Sequence, residues 1–252
     1  MEDIAGKQKL KIKNRYDAEG LMYFAKRKFY TSYVGARMVH IVKIILDKML
    51  NKISVENLKI LDIGSGPGFF ERILLTKISY DIGIWVSVDI SESMVKAQIN
   101  ISPKINVIIA DAEHLPFRNE LFDIILISRM IKFVDPKKII EEIKNISKGF
   151  IIQFIDVADT FWVLIMEQLF HIAVDPAVWN DFRTISSKKI DKLLSVFTSK
   201  IKIHITAFPL SFFNYFPWFF LHIGAIFDKP WLGSRIICYI IIQQHKGELT
   251  AR

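Results

Sequence analysis

Four short stretches of this chain place chemically capable residues at the ends of apolar runs. The first is Leu61-Asp62-Ile63-Gly64-Ser65-Gly66-Pro67-Gly68. Its glycines allow a turn out of a strand, close approach of backbone to a ligand and tight contact with the following helix. A phosphate-binding P-loop would need Gly-Lys-Ser/Thr at its end, and Phe69-Phe70 stand there instead. A dinucleotide fingerprint would need glycine at position 69 and an apolar strand before it. Here the last glycine comes one residue early, and the strand end carries Asp62. A carboxylate in that place repels pyrophosphate and suits a cationic ligand.

The second stretch, Val88-Asp89-Ile90, follows the loop by about 20 residues, where a carboxylate can accept both hydroxyls of a ribose. Ala110-Asp111-Ala112 is third, followed by Leu115-Pro116-Phe117. The fourth is Phe122-Asp123-Ile124-Ile125-Leu126-Ile127-Ser128-Arg129. Candidate bases lie further on: His171 and His222, with Asp156 and Asp159 just after a fifth apolar run. Each histidine also has an ordinary reading as a core or surface residue. The single cysteine, Cys238, falls inside a strand candidate and reads as a buried core residue, so neither a disulfide scaffold nor a multi-cysteine zinc site is expected, and no metal is assigned.

Stepping along the chain, strands are expected at Lys59 to Ile63, Ile84 to Asp89, Ile105 to Ala110, Phe122 to Ser128, Phe150 to Ile155, Ile201 to Ala207 and Arg235 to Gln243. The first five are short and rich in Ile and Val, the pattern of strands buried on both faces of a parallel sheet. Helices are expected at Phe69 to Thr76, at Glu92 to Ile99 after a capping Ser91, and at Pro136 to Ile146 after Asp135. Such alternation implies a doubly wound α/β domain with right-handed crossovers, whose ligands bind at the carboxyl ends of the strands. Residues 15 to 53 also read as helical, with Val39, Val42, Ile45, Leu46 and Met49 on one stripe. Of Tyr16, Tyr23, Tyr30 and Tyr33, one could close over a cofactor.

With 252 residues, 51% hydrophobic and 24% charged, the chain is a candidate for one elaborated domain and is not intrinsically disordered. Its formal charge of +8 gathers at the N-terminus, in Lys7, Lys9, Lys11, Lys13 and Arg15 and then Lys26, Arg27, Lys28 and Arg37. That arm reads as a solvated, partly frayed terminus, or as a contact for RNA or anionic lipid. No secretory signal is recognised at the N-terminus, and a reducing, cytoplasmic compartment is expected. The uncharged run from Ile203 to Phe227 has the length of a bilayer span. Its prolines, Asn214, His204 and His222, and the alternation of its first residues, argue instead for a strand followed by an aromatic helical cover.

The motifs ILDIGSGPGFFE, VSVDISESM, DAEHLPF and FDIILISRMIKFVDP, in this order, resemble the class I S-adenosylmethionine-dependent methyltransferases, most closely the branch that includes quinone and other small-molecule methyltransferases. The resemblance covers about 55 to 155. It implies a Rossmann-like, doubly wound, seven-stranded sheet, mostly parallel with an antiparallel last strand, and S-adenosylmethionine as cofactor. By the family pattern Asp62 and the backbone of Gly64, Ser65, Gly66 and Gly68 hold the methionine end. Asp89 takes the ribose, Ile90 and Met94 border the adenine, Asp111 takes its exocyclic amine beside Ala112, and Ser128 closes the far side. One departure is plain: many relatives carry a histidine pair after the fourth strand, where this chain has Arg129-Met130-Ile131-Lys132.

The expected organisation is a single domain over 1–252, with an N-terminal helical region at 1–54, a cofactor-binding core at 55–155, and substrate-side inserts at 156–186 and 208–233. The inserts carry Phe161, Trp162, Met166, Phe170, Trp179 and the Phe212 to Phe220 cluster. They either line a pocket for a flat or lipid-like acceptor, or fill a helical cap or a dimer interface. Ser128-Arg129-Met130-Ile131 does not match the Pro-Pro-aromatic motif of exocyclic-amine methyltransferases, and Cys238 is misplaced for pyrimidine C5 chemistry. The expected function is O- or C-methylation of an apolar or aromatic small molecule or lipid-like compound. The alternatives are an RNA methyltransferase using the basic arm and a non-catalytic S-adenosylmethionine-binding interaction protein. Peripheral membrane contact is left open, as is the oligomeric state.

Overall fold

The computed structural model describes residues 2–19, 40–45, 47, 57–71, 82–101, 105–156, 187–197, 199–206 and 234–242. After an N-terminal helix, α1 (Glu2–Glu19), come β1 (Lys59–Ile63), β2 (Ile84–Asp89), α2 (Glu92–Ile101), β3 (Asn106–Ile109) and β4 (Phe122–Ser128). A 3₁₀ turn (Ile131–Phe133), α3 (Pro136–Ile146), β5 (Ser147–Asp156), α4 (Ser187–Leu193), β6 (Ser199–Thr206) and β7 (Ser234–Ile242) complete the set. The strands form one seven-stranded sheet in the order β3-β2-β1-β4-β5-β7-β6. Strands β1 to β5 run parallel, and β7 runs antiparallel to both β5 and β6. This is the doubly wound sheet expected, reversed at its last strand. The strand order changes direction between β1 and β4, and the crevice beyond their carboxyl ends is where such sheets hold ligands.

Both faces of the central strands are covered. Leu61, Ile63, Val86, Val88, Ile125, Ile127, Ile151 and Ile155 share one core with Ile139, Ile140, Ile143 and Ile146 of α3 and with Ile190 and Leu194. Helix α3 forms because those four isoleucines recur on one stripe. Asp135 caps it by accepting from the Lys137 N–H at 2.9 Å, and Pro136 occupies the first turn, where no N–H is needed. Each buried isoleucine contributes about 1.5–3 kcal/mol. On the opposite face, the Gln98 amide of α2 reaches Ser87 of β2, and Phe70 stacks on Phe154 of β5 at 5.4 Å between centroids. Cys238 is buried in β7, and burial pushes its thiol far above the ordinary range.

Several expectations need correction. Strand β3 spans Asn106–Ile109, shorter than the expected 105–110, and it is not buried on both faces: it is the sheet's edge, with Ile109 52% exposed. Strand β5 starts at Ser147 rather than Phe150, because Ser147 pairs with Phe122 of β4; pairing with β7 begins only at Phe150. Strands β6 and β7 are displaced by one or two residues from the expected ranges. The largest correction concerns the basic arm. It is a regular 18-residue helix beginning at Glu2, not at 15, and it docks on the domain through the contacts below. Residues 40–45 are helical, as expected, with Ile41, Val42 and Ile45 buried. Both aromatic inserts lie outside the described residues. The first residues of the uncharged run, Ile203 to Thr206, belong to β6, and among the described residues no helix is long and apolar enough to cross a membrane.

Candidate functional site

The loop after β1 is built around three glycines with positive φ: Gly64 (+68°), Gly66 (+56°) and Gly68 (+84°). The amides of Gly64 and Ser65 both donate to the Val88 carbonyl, at 2.8 and 3.1 Å, tying the loop to β2. Gly64 has a second constraint besides φ, since a Cβ there would stand 2.9 Å from both Cβ and Cγ of Met130. Gly66 differs, because none of the described residues lies within 4 Å of where its Cβ would be. Among the described residues, the backbone at Gly66 therefore borders open space that a ligand can approach closely.

Asp62 lies next to this loop, near the end of β1. Strand alternation puts it on the face opposite Leu61 and Ile63, and it is 1% exposed. Both of its carboxylate oxygens are buried without a hydrogen-bond partner among the described residues. Burial drives its carboxyl well above the usual range, and the negative charges of Glu71 and Asp89 add to the effect. Asp89, at the end of β2, accepts from the Gly66 amide at 2.9 Å on one oxygen and from the Ser91 amide at 2.9 Å on the other. Burial raises its carboxyl despite those donors. Each oxygen keeps lone-pair capacity for a hydroxyl donor.

A polar network underlies the loop. The Ser65 hydroxyl donates to the Gln98 carbonyl oxygen at 3.0 Å, and the Gln98 amide donates to Glu71 and to the Ser87 hydroxyl. The Trp85 indole also donates to Ser87, at 3.2 Å. Gln98 crosses from α2 under Gly68, where an added Cβ would meet its Cγ at 2.9 Å. Neither Gln98 nor Glu71 stood out in the sequence, although a fully buried glutamine on a helix otherwise lined with apolar residues carries a signal of its own.

Helix α1 approaches the loops at the carboxyl ends of β2, β3 and β4. Lys9 bridges Asp111 and Glu113, at 2.7 Å to each. Asp17 accepts from the Ser91 hydroxyl at 2.6 Å and from the Ser93 amide at 3.3 Å, while Ser91 itself caps α2 by accepting from the Met94 amide at 3.2 Å. Tyr16 meets Phe133 edge-on at 5.9 Å. Burial alone would lower the Lys9 ammonium, but its bonds to Asp111 and Glu113 outweigh this and raise it. Burial likewise opposes ionisation of Asp111, and Lys9 with the Glu113 amide reverses the balance, so its carboxyl lies below the usual value.

The structure thus gathers Asp62, the glycine loop and Asp89, which are tied by direct hydrogen bonds or charge. Ile90 follows Asp89 half-buried, and Met94 is buried one turn into α2. Asp111 is half-buried beside buried Ala112. Ser128 ends β4 next to Arg129, a non-glycine residue at φ +60° whose amide donates to the Phe154 carbonyl at 2.9 Å. Met130, in the place of the relatives' histidine pair, is the residue that packs on Gly64. The backbone of Asp156 ends β5 at the same edge of the sheet. His171, His222 and Asp159 lie outside the described residues.

Residues 61–150 match the methyltransferase domain family. A further match, 42% identical over 89 residues, is an uncharacterized protein of Methanocaldococcus jannaschii; it covers 35% of this chain and only 38% of that relative. Among solved structures, magnesium protoporphyrin IX methyltransferase from Synechocystis PCC 6803, crystallised with S-adenosylhomocysteine, superposes with a TM-score of 0.62 at 10% identity, over 94% of this chain and 100% of the other. A S-adenosylmethionine-dependent methyltransferase from Thermotoga maritima gives 0.58 at 20% identity, over 92% and 96%. Sheet order and site together define a class I methyltransferase fold, the class whose methyl donor is S-adenosylmethionine.

The residues present fit that cofactor. A buried carboxylate with two orphaned oxygens calls for a cation, and the methionine end of S-adenosylmethionine carries an ammonium. The open side of Gly66 provides the close approach, and Asp89 retains acceptor capacity for the ribose.

Proposed function

We propose that this protein is an enzyme that methylates an apolar or aromatic small molecule, or a lipid-like compound, at oxygen or carbon. The observation that carries the reading is Asp62, which no group of the described protein satisfies and which lies next to a glycine loop built for close approach. Asp62 would hold the ammonium of the methionine end where the loop backbone allows close approach, Asp89 the ribose and Asp111 the adenine amine. When bound, S-adenosylmethionine supplies an electrophilic methyl group on a sulfonium for in-line displacement. The chain's own part is to fix the geometry, exclude water and, for an acceptor that must lose a proton, supply a base. His171, His222 and Asp156 are the candidates for that base.

Connectivity supports the acceptor class. Asp156 ends β5, Thr206 ends β6 and Ser234 starts β7, and the register sets all three at the edge where the parallel strands end. The segments 157–186 and 207–233 are therefore attached on the cofactor side, and both are dense in aromatic residues. Such side chains favour a flat or greasy acceptor; the acceptor named for the Synechocystis neighbour, magnesium protoporphyrin IX, is of that kind. Two lysines of the basic arm on which the RNA alternative draws, Lys9 and Lys13, are engaged by carboxylates within the protein.

The test is methyl transfer from labelled S-adenosylmethionine into fractions of a hydrophobic extract, beside calorimetry with S-adenosylhomocysteine. Label in an organic-soluble product together with binding supports the reading. Binding without transfer to any fraction leaves the interaction-protein alternative standing, and absence of binding removes the cofactor assignment.

A further inference from the structure

We propose that Lys9 is a positioning residue for the cofactor: from α1 it holds Asp111 in the orientation that reads the adenine amine, so that docking of α1 and binding of the nucleoside are one coupled event. This rests on the cofactor reading above and assigns a role to a residue outside the matched domain.

Three attachments carry the argument. Asp111 receives Lys9 on one oxygen at 2.7 Å and the Glu113 amide on the other at 3.0 Å, which fixes the carboxylate while leaving each oxygen one more lone pair. Glu113 is 4% exposed and needs a counter-charge; Lys9 supplies it at 2.7 Å, with Lys138 further off at 3.6 Å. Through its other contact, accepted from the Asp135 amide at 2.8 Å, Glu113 ties the arrangement to the start of α3. Without Lys9, two neighbouring carboxylates would repel, and Asp111 would turn outward or take up a proton.

At the other end of α1, Asp17 clasps Ser91 and Ser93, immediately after Asp89, and Tyr16 packs on Phe133. One helix thus spans the loops that follow Asp89, Asp111 and Ser128, three residues assigned to the cofactor. A helix with mean composition as polar as that of α1 has little reason to dock except through such specific pairs. Lys9 lies 102 residues from Asp111 in the chain, so the pair also closes the N-terminus onto the sheet.

Calorimetry with S-adenosylhomocysteine and with its analogue lacking the 6-amino group tests the proposal on the full-length chain. Lys9→Met should weaken binding of S-adenosylhomocysteine about tenfold, the scale of a lost charge-assisted hydrogen bond, and change the analogue less than about threefold. Lys9→Arg should restore most of the difference, and added S-adenosylhomocysteine should slow hydrogen exchange in α1 of the wild type. An equal loss for both ligands would show Lys9 to be merely structural and overturn the proposal, as would unchanged affinity. Should Lys9→Met fail to fold, the discrimination between the two ligands by Lys9→Gln decides in the same way. If wild type binds neither ligand, the cofactor reading itself fails, and the role of Lys9 falls with it.

Discussion

Met130 packs against the backbone of Gly64, so closely that a single added carbon on the glycine would lie 2.9 Å from two of its side-chain atoms. The contact joins the glycine loop after β1 to the residue beyond β4, across the point where the sheet changes direction. Gly64→Ala should therefore lose stability twice, from φ of +68° and from the collision. The left-handed backbone costs about 1–2 kcal/mol and the overpacking about 1–3 kcal/mol. Urea unfolding would show the loss. Adding Met130→Ala should recover the part due to collision and not the part due to φ; full recovery would show that the backbone at Gly64 is unstrained.

Asp62 is expected to oppose folding and favour binding. Its carboxyl is raised in the folded state, so in the empty protein its cost is fully present above that raised value and vanishes as pH falls toward the ordinary carboxylate value near 4. Asp62→Asn should raise the melting temperature of the empty protein at pH 8, by the equivalent of about 1–3 kcal/mol, while abolishing S-adenosylhomocysteine binding. For wild type the same sign makes ligand affinity fall on acidification, beginning above the ordinary carboxylate range. A wild-type affinity flat from pH 8 to pH 5, or an Asp62→Asn protein that binds normally, would contradict the assignment of a cationic partner.

Gln98→Ala should cost about 2–4 kcal/mol, because it opens a cavity under Gly68 and takes a partner from Ser65, Ser87 and Glu71 together. Cofactor affinity should drop as well, since Ser65 is a loop residue. Guanidinium unfolding and calorimetry on the same sample check both. A loss of stability with unchanged affinity would mean that the loop keeps its shape without this support.

Three strands, β1, β2 and β4, have the limits expected from their apolar runs, because Asp62-Ile63-Gly64, Val88-Asp89 and Ser128 end them with strong local signals. The caps of α2 and α3 were equally legible, since Ser91 and Asp135 act on amides two or three residues away. Asn106–Ile109 misled because composition alone does not say whether an isoleucine faces a neighbouring strand or the solvent. The docking of α1 was hidden for a related reason: a lysine-rich helix looks solvated until the carboxylates it meets, some hundred residues on, are folded beside it. Asp62 and Asp89 stood out by type and spacing, whereas the buried placement of Gln98 depends on the crossing of α2 over β2.

The chain's one cysteine, Cys238, is sealed inside β7 with its thiolate strongly disfavoured. Thiol-directed dyes and spin labels will accordingly pass over the natural protein, which makes it a silent background for spectroscopy. A cysteine introduced at Leu10, an exposed residue of α1, would be an addressable reporter. Distances measured from such a probe would follow the N-terminal helix through loading and release without altering any residue assigned to the site.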